Sequence, residues 1–344
     1  MARVDLTVRG GGVFGLSIAY EAARRGAKVR LVEAVRIGAG ASGGLVGALS
    51  PHVPEGWNAK KVFQLDSLLM AQGFWAGVEA ASGLPTGYAR LGRLQPLADA
   101  AAVELARARG AGATLLWRGQ AEWQVVPATG AAWEPASPSG QLVRDTLSAR
   151  LHPRLAAAAL VGAIRALGGA VIEGEAADEG AVVWATGVAG LAGLGTALGR
   201  KIGDGVKGQA LSLRFAAEGL PQLFAGGLHV VPHADGTVAI GSTSETAFDD
   251  PQATDAQLDA LHTRAVAALP VLAGAPVVAR WAGLRPRATT KAPLLGPWPG
   301  RHGHFVANGG FKIGFGMAPK VAQVMADLVL EGRDAIPEGF RLPG

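Results

Sequence analysis

The chain has 344 residues, 49% of them hydrophobic and 17% charged, which describes a globular protein with enough core for two domains and excludes a disordered or fibrous one. Its 32 basic residues exceed the 27 acidic ones by five, yet no Lys/Arg run is longer than a pair (such as Arg24-Arg25 and Lys60-Lys61), so no dedicated nucleic-acid surface is expected. With no cysteine, disulfides, thiolate zinc sites, iron–sulfur clusters and cysteinyl-linked cofactors are excluded.

The stretch "DLTVRGGGVFGLSIAYEAARRGAKVRLVE" predicts a strand over Leu6–Val8, a helix through Leu16–Arg25 and a second strand over Val29–Val32. Met1 passes directly into this pattern, so no signal peptide is expected. A glycine-dense loop, "RIGAGASGGLVGALSPH", leads to a helical segment, "WNAKKVFQLDSLLMAQGFWAGVEAAS". "YARLGRLQPLAD" and "ATLLWRGQAEWQVV" read as strand and turn, and "RDTLSARLHPRLAAAALVGAIRALGG" as helix. Arg165 interrupts the most apolar part of that helix, which falls short of the roughly 20 apolar residues a bilayer span needs. A cytoplasmic protein without a membrane span is therefore expected.

Two short strands follow, "AVIEG" and "AVVWATG". "GQALSLRF", "GGLHVVPH" and "TVAIGSTS" read as antiparallel strands, with Asp235-Gly236 as the hairpin signal between the last two. "DAQLDALHTRAVAALP" is a helix stopped by Pro270, and the chain closes on the strand "HFVANGG" and the helix "MAPKVAQVMADLVLEG". The order is α/β, then mostly β, then α/β. Nucleotide-binding pieces are expected at both ends, with an antiparallel sheet between them.

Gly10, Gly12 and Gly15 fit G-x-G-x-x-G between a strand and a helix. The first glycine permits the tight turn, the second lets the backbone approach a pyrophosphate, and the third lets helix and strand pack closely. Glu33, ending the second strand, stands where a carboxylate accepts ribose hydroxyls and disfavours a 2′-phosphate. The chain holds 51 glycines, so the spacing counts only together with the strand, the helix and Glu33. Arg9 is anomalous at a normally apolar strand position; it lies at the strand edge or its stem snorkels outward.

A rival signal is "GASGG" (Gly40–Gly44), which satisfies the G-x-S-x-G nucleophile elbow. An elbow needs a strand directly before Ser42, and a glycine loop stands there, so Ser42 fits better as a hydroxyl donor to a phosphate. His229 and His233 are four apart, but in a strand that spacing covers about 13 Å, too far for two ligands of one metal. His302 and His304 read as solvated loop residues. No metal is expected.

Five segments taken together resemble a known group: "GGGVFGLSIAYEAARRGAKVRLVE", "GAGASGGLVGAL", the Ala185-Thr186-Gly187 "ATG", "WAGLRPRATTKAPLLG" and "VANGGFKIGFGMAP". In this order they resemble the D-amino acid oxidase family of FAD-dependent amine oxidoreductases, on its glycine oxidase-like side. The resemblance implies an α/β FAD-binding Rossmann-like domain (GR2-type) with an inserted antiparallel-sheet substrate domain. Residues 1–90, 140–205 and 284–344 would form the first, and 91–139 and 206–283 the second.

It also implies where FAD binds. Gly10, Gly12, Val13, Phe14 and Gly15 would hold the pyrophosphate, with Glu33 and Ala34 at the ribose. Ala41, Ser42, Gly43, Gly47, Ala48 and Leu49 would follow along the cofactor, joined by Ala185, Thr186 and Gly187. Gly310, Lys312, Ile313, Gly314, Phe315 and Gly316 would meet the flavin, where the positive end of the last helix stabilises charge at N1–C2=O; Gly309 adds backbone freedom there.

Arg285 matches the arginine that grips the substrate carboxylate, for which a guanidinium offers a bidentate fork. Lys312 stands where the family often has a second arginine, keeping charge and losing the fork. Gly310 replaces a common histidine and Thr290 a common aspartate, which puts the exact substrate in doubt. His229 falls at the position of a substrate-facing tyrosine, and a structural role is an even alternative. Ser244 falls at a pocket-wall position, and His52 is a weaker candidate beside the flavin.

The implied reaction is oxidation of a small amino acid or secondary amine (glycine, sarcosine or D-amino acid type). Hydride passes to flavin N5, and water hydrolyses the imine to a keto acid and ammonia. Oxygen as acceptor would give hydrogen peroxide; a dehydrogenase with another acceptor stays open. Within the family, a larger N-substituted glycine is the alternative substrate, with a tRNA partner disfavoured by the scattered charge. Outside it stand a non-catalytic dinucleotide-binding protein and a serine hydrolase using Ser42. A homo-oligomer stays open as well.

Overall fold

The computed structural model describes residues 4–342; the outermost residues of the expected FAD-binding segments, 1–3 and 343–344, lie outside the described part. The first third of the chain runs β1 (Leu6–Arg9), α1 (Val13–Arg24), β2 (Val29–Glu33), β3 (Ala48–Leu49), α2 (Ala59–Ser82), β4 (Arg93–Pro96) and α3 (Ala100–Leu116). Then come β5 (Trp123–Pro127), β6 (Gln141–Asp145), β7 (Ala149–Arg150), α4 (Pro153–Ala166), β8 (Ala170–Glu173), β9 (Ala181–Trp184) and α5 (Gly187–Ala197). The remainder is β10 (Gly203–Arg214), β11 (Gln222–Ala225), β12 (Leu228–Pro232), β13 (Thr237–Gly241), α6 (Ala256–Ala268), β14 (Val277–Ala288), β15 (Leu294–Pro297), β16 (His304–Asn308) and α7 (Gly314–Glu331).

Six strands form one sheet in the order β15-β16-β9-β1-β2-β8. All its pairings are parallel except β15 with β16. Leu6, Val8, Leu31 and Val183 are fully buried in it and share one core with Leu16 and Ile18 of α1, Leu160 of α4 and Val321 of α7. The expected β-α-β unit is present. Helix α1 starts at Val13, three residues before the hydrophobic pattern suggests, because the second half of the glycine turn is already helical. Arg9 sits on the central β1 and sends its side chain outward, where Nε donates to Asp178 (2.7 Å) and Nη2 to the Ala176 carbonyl (2.6 Å).

Eight strands form the second sheet, β14-β10-β13-β12-β11-β4-β6-β5. It is antiparallel except for the β11–β4 pair. Three expectations need correction here. Residues 141–145, placed by sequence with the FAD-binding part, form β6 of this larger sheet, and β14 runs straight through the boundary set at 284. The helix expected from Arg144 begins only at Pro153, where His152 Nδ1 accepts from the Leu155 amide (3.4 Å) and Pro153 occupies the first turn. The segment "ATLL" is not strand but the last turn of α3, which Asp99 caps through the Ala102 amide (2.8 Å). Its Gly110 resembles a turn signal in sequence, yet it lets the helix press on β5: a Cβ there would lie 2.8 Å from the Trp123 carbonyl.

The register assigns each side of the larger sheet. Leu211, Leu223, Val230, Val238 and Ile240 bury one face against Leu258 and Leu261 of α6. By strand alternation, Arg285, Gly241, His229, Phe224, Gln222 and Arg93 lie on the other face. Leu45 and the half-buried Trp281 pack on that second face with Ala210 and Ala239, so the glycine loop of the first domain meets the sheet there.

Candidate active site

The first glycine turn has no room for side chains at Gly10 and Gly15. Gly10, in the left-handed region at φ 111°, would drive a Cβ into the Ala185 carbonyl, and a Cβ on Gly15 would strike the Gly10 carbonyl. At Gly12 a Cβ would meet only Ser42 Oγ, 3.3 Å away, so this side of the turn stays open. Helix α1 has no side-chain cap. Ser42 Oγ accepts from the Val13 amide (2.9 Å), while the amides of Gly12 and Phe14 find no acceptor among the described residues. Idle donors at a helix N-terminus make an anion cradle. Ser42 stands in a short helical turn, Ala41–Gly43, rather than on the strand-to-helix elbow a nucleophile needs.

Glu33 closes the turn. Its Oε2 accepts from the Gly11 amide (2.6 Å) and its Oε1 from the Val35 amide (3.0 Å), so it holds the phosphate loop and keeps lone pairs for ribose hydroxyls. Ala34 is exposed beside it. Gly47, with φ 65°, lies against the Leu151 carbonyl and starts the β3–β7 ribbon; Ala48 is half-buried and the Leu49 side chain points into the core. Ala185 and Thr186 abut Gly10, and Asn308 Nδ2 donates to the carbonyl of the following Gly187 (2.9 Å), tying this bend to the last strand.

The second cradle is the N-terminus of α7. It too lacks a side-chain cap, and the amides of Gly314, Phe315 and Gly316 have no acceptor among the described residues. The two cradles touch: Gly314 faces Val13 and Gly310 faces the Phe14 ring. A dinucleotide fits these residues, with an uncapped turn, a carboxylate that keeps lone pairs and a second set of amides without acceptors among the described residues.

Arg285, on β14, is buried and lies flat over Gly208, whose missing side chain leaves the space for the guanidinium. Nη1 donates to Ser242 Oγ (2.7 Å), and Nη2 donates to the carbonyls of Lys207 (3.1 Å) and Thr243 (2.6 Å); Nε is buried without a partner. Neither two-hydrogen edge is wholly free, so the bidentate fork expected from sequence is partly in use, and a carboxylate gripping both atoms must share or displace one of these contacts. Burial lowers the Arg285 pKa to about 10 against the raising effect of Glu245, which leaves it charged at neutral pH.

Arg285, Arg287 and Lys312 gather on one ring. The two guanidinium carbons lie 5.8 Å from the Phe311 centroid and Lys312 Nζ lies 5.6 Å from it. Burial first, then Arg285 and Arg287, push the Lys312 pKa down. Phe311 holds φ at 45°, a left-handed conformation that turns the chain into α7 beneath these cations. Arg287 escaped the sequence reading, although its two-residue offset from Arg285 on a strand was a usable signal.

His229 reaches the same region. Its Nδ1 is buried without a partner, and burial, aided by Arg93 and Lys312, lowers its pKa to about 3. The imidazole is therefore neutral. His52 is tied to Gln64: its Nδ1 and its amide both engage Gln64 Oε1. Ser244 is exposed, and Thr290, in an exposed turn, donates its Oγ1 hydrogen to the Ala292 carbonyl (3.3 Å) and accepts from the Ala292 amide (3.4 Å). His233 sits beyond the end of β12, bonded through Nε2 to the Leu45 carbonyl (2.9 Å). His304 is not a solvated loop residue; it opens β16 and accepts from Trp184 Nε1 (3.0 Å). Among the described residues no three His, Asp or Glu side chains are placed to hold a metal, and no helix is long and apolar enough to cross a membrane.

An N-terminal dinucleotide turn, a second helix N-terminus supplied by the chain's far end and an inserted sheet carrying a buried arginine define a two-domain nucleotide-dependent oxidoreductase fold. The family model of FAD-dependent oxidoreductases of D-amino acid oxidase type matches residues 5–328, and the chain belongs to this family. Glycine oxidase of Geobacillus kaustophilus is 30% identical over 95% of this chain and 93% of its own length. Glycine oxidase of Pseudomonas putida is 40% identical, over 36% of this chain and 34% of its own length, so that match spans about a third of the relative. Among solved structures, Geobacillus kaustophilus glycine oxidase superposes with a TM-score of 0.84 at 24% identity, covering 100% of this chain and 99% of that one. Iminodiacetate oxidase from Chelativorans sp. BNC1 superposes with a TM-score of 0.85 at 19% identity, covering 98% of both chains. These superpositions carry the fold.

Proposed function

We propose that this chain oxidises the C–N bond of a small amino acid or secondary amine with FAD as its cofactor. The observation that carries this reading is the cluster of Arg285, Arg287 and Lys312 around Phe311, at the turn where α7 presents its free amides. Bound FAD supplies the acceptor for the substrate's α-hydride. Everything else falls to the chain. Arg285, through its idle Nε–H, and Lys312 hold the substrate's carboxylate and so fix the α-carbon.

The same cations act on the amine. Positive charge nearby disfavours an ammonium ion, so the bound substrate releases its proton more readily and presents a neutral amine. His229, neutral and buried, offers a hydrogen-bonding ring nitrogen. Oxidation of the amine gives an imine, which water hydrolyses to a carbonyl acid and ammonia or a smaller amine. Oxygen serves as electron acceptor, with hydrogen peroxide as the second product, and the enzyme works in the cytoplasm on a free small molecule. An anaerobic screen of glycine, sarcosine, D-amino acids and L-proline tests the reading: at least one must bleach the flavin absorbance of the purified protein. A protein that takes up FAD and is reduced by none of them, nor by any other amine, overturns it.

A further inference from the structure

The sheet face that carries Arg285 continues across β13, β12 and β11 to β4, where it holds polar groups that the cofactor cradles and the Arg285 cluster do not use. Arg93, on β4, gives its Nε to Asp145 (2.9 Å) and is 5% exposed, while Asp145 is fully buried and also accepts from the Ser148 amide and hydroxyl. The Nη groups of Arg93 make no hydrogen bond among the described residues. Two residues along the strand, and so on the same face, Gln95 has a buried Nε2 with no acceptor. Across β11 stands His229, whose Nδ1 is likewise buried and unpartnered.

Phe224 joins His229 and Arg93. Its ring is 4.8 Å from the His229 ring and 5.9 Å from the Arg93 guanidinium carbon. Buried polar atoms normally find partners, and here an imidazole nitrogen and a carboxamide nitrogen are buried without one, on the same sheet face as a guanidinium whose Nη groups make no hydrogen bond among the described residues. Gln95 and Arg93 offer only N–H donors at these atoms, so the missing partner is an acceptor. Arg93 and Lys312 both act on His229 as positive neighbours, and Asp145, the carboxylate paired with Arg93, is fully buried and taken up by Arg93 Nε and by Ser148, so the Nη side of Arg93 is left to an anionic acceptor.

We propose that Arg93, Gln95 and His229 form a second anion subsite, so that the substrate is a dicarboxylic amine: one carboxylate meets Arg285 and Lys312, and the other, at the end of a side chain or an N-substituent, meets Arg93 and Gln95. This rests on the amine-oxidising reading above and specifies its substrate class. Arg93 and Gln95 are specificity residues, remote from the bond that is oxidised.

The test uses the FAD-loaded protein and unreactive probes that perturb the flavin spectrum, propionate against succinate and glutarate at fixed ionic strength. A dicarboxylate is expected to bind at least about tenfold more tightly than propionate, a difference of about 1.4 kcal/mol. Gln95→Leu, and Arg93→Lys, which keeps a cation beside Asp145, are each expected to bring the ratio of the two dissociation constants toward one. Anaerobic bleaching by aspartate and glutamate enantiomers against N-carboxymethyl amino acids then shows where the second carboxylate is attached. Equal binding of mono- and dicarboxylates, or a ratio that Gln95→Leu leaves untouched, overturns the subsite while bleaching by glycine or sarcosine still upholds amine oxidation. If no carboxylate binds and no amine bleaches the flavin, both readings fall.

Discussion

The ring of Phe14 occupies the space a side chain on Gly310 would need: a Cβ there would lie 2.8 Å from Phe14 Cζ and 3.1 Å from Gly314 Cα. Phe14 belongs to the first glycine turn and Gly310 to the last, so the two cradles are built as one contact between the ends of the chain. Gly310→Ala is expected to destabilise the protein by about 1–3 kcal/mol through overpacking and to lower its flavin content, because both turns must shift. Chemical denaturation and the ratio of flavin to protein absorbance check this. A variant with unaltered stability and full flavin would show that the two turns are independent.

The guanidinium of Arg285 is held through its Nη donors on Ser242, Lys207 and Thr243, while its buried Nε has no partner. Arg285→Ala is expected to raise the substrate KM at least about tenfold, the equivalent of a charge-assisted hydrogen bond of about 1.5–3 kcal/mol. Flavin content should hold, because Arg285 lies on the inserted sheet and not on either cradle. Steady-state kinetics read the first effect and absorbance the second; an unchanged KM would remove Arg285 from the substrate site.

Acid should weaken the fold before its carboxylates titrate. Burial is the leading cause that lowers His229 to about 3 and His233 to about 4, from an ordinary value of 6.5, and it lowers His52 and His152 as well. The unfolded chain therefore takes up protons below pH 6.5 that the folded chain refuses. Stability is flat above that pH and falls as pH drops toward 4, by up to about 1.4 kcal/mol per pH unit for each such histidine. Urea denaturation between pH 7.5 and 5 measures the slope, and His229→Phe should make it shallower by one proton. A stability that does not change over that range would contradict the burial of these imidazoles in neutral form.

The β-α-β start was legible because its glycines, its apolar strands and Glu33 obey separate rules that agree. The inserted sheet was legible as strands, but not as a register, and register is what places Arg93, Phe224 and His229 on the face of Arg285. Read alone, "GRLQP" shows two polar residues in a strand; only the pairing of Gln222 with Arg93 tells which way they look. Helices α3 and α5 were missed for a different reason. Their glycines imitate turn signals, while in the fold Gly110 and Gly190 permit close approach, the second to the Thr186 hydroxyl and the Asn308 amide.

Glu33 holds the glycine turn whether or not it meets a cofactor. Its two oxygens already bind the Gly11 and Val35 amides, so the carboxylate shapes the turn before any ribose arrives. Glu33→Ala is thus expected to cost the flavin-free protein about 1–3 kcal/mol, since two amides lose a charged acceptor, and to release FAD more readily from the loaded one. Glu33→Gln separates the roles: its single carbonyl oxygen satisfies one amide and its NH2 repels the other, so it should retain part of the stability and still bind FAD weakly. Thermal melts of the flavin-free protein and dilution-driven loss of flavin fluorescence quenching give the two readouts. Should Glu33→Ala weaken FAD retention while the flavin-free melt stays where it was, the carboxylate acts on the cofactor alone and its grip on Gly11 contributes nothing to the fold.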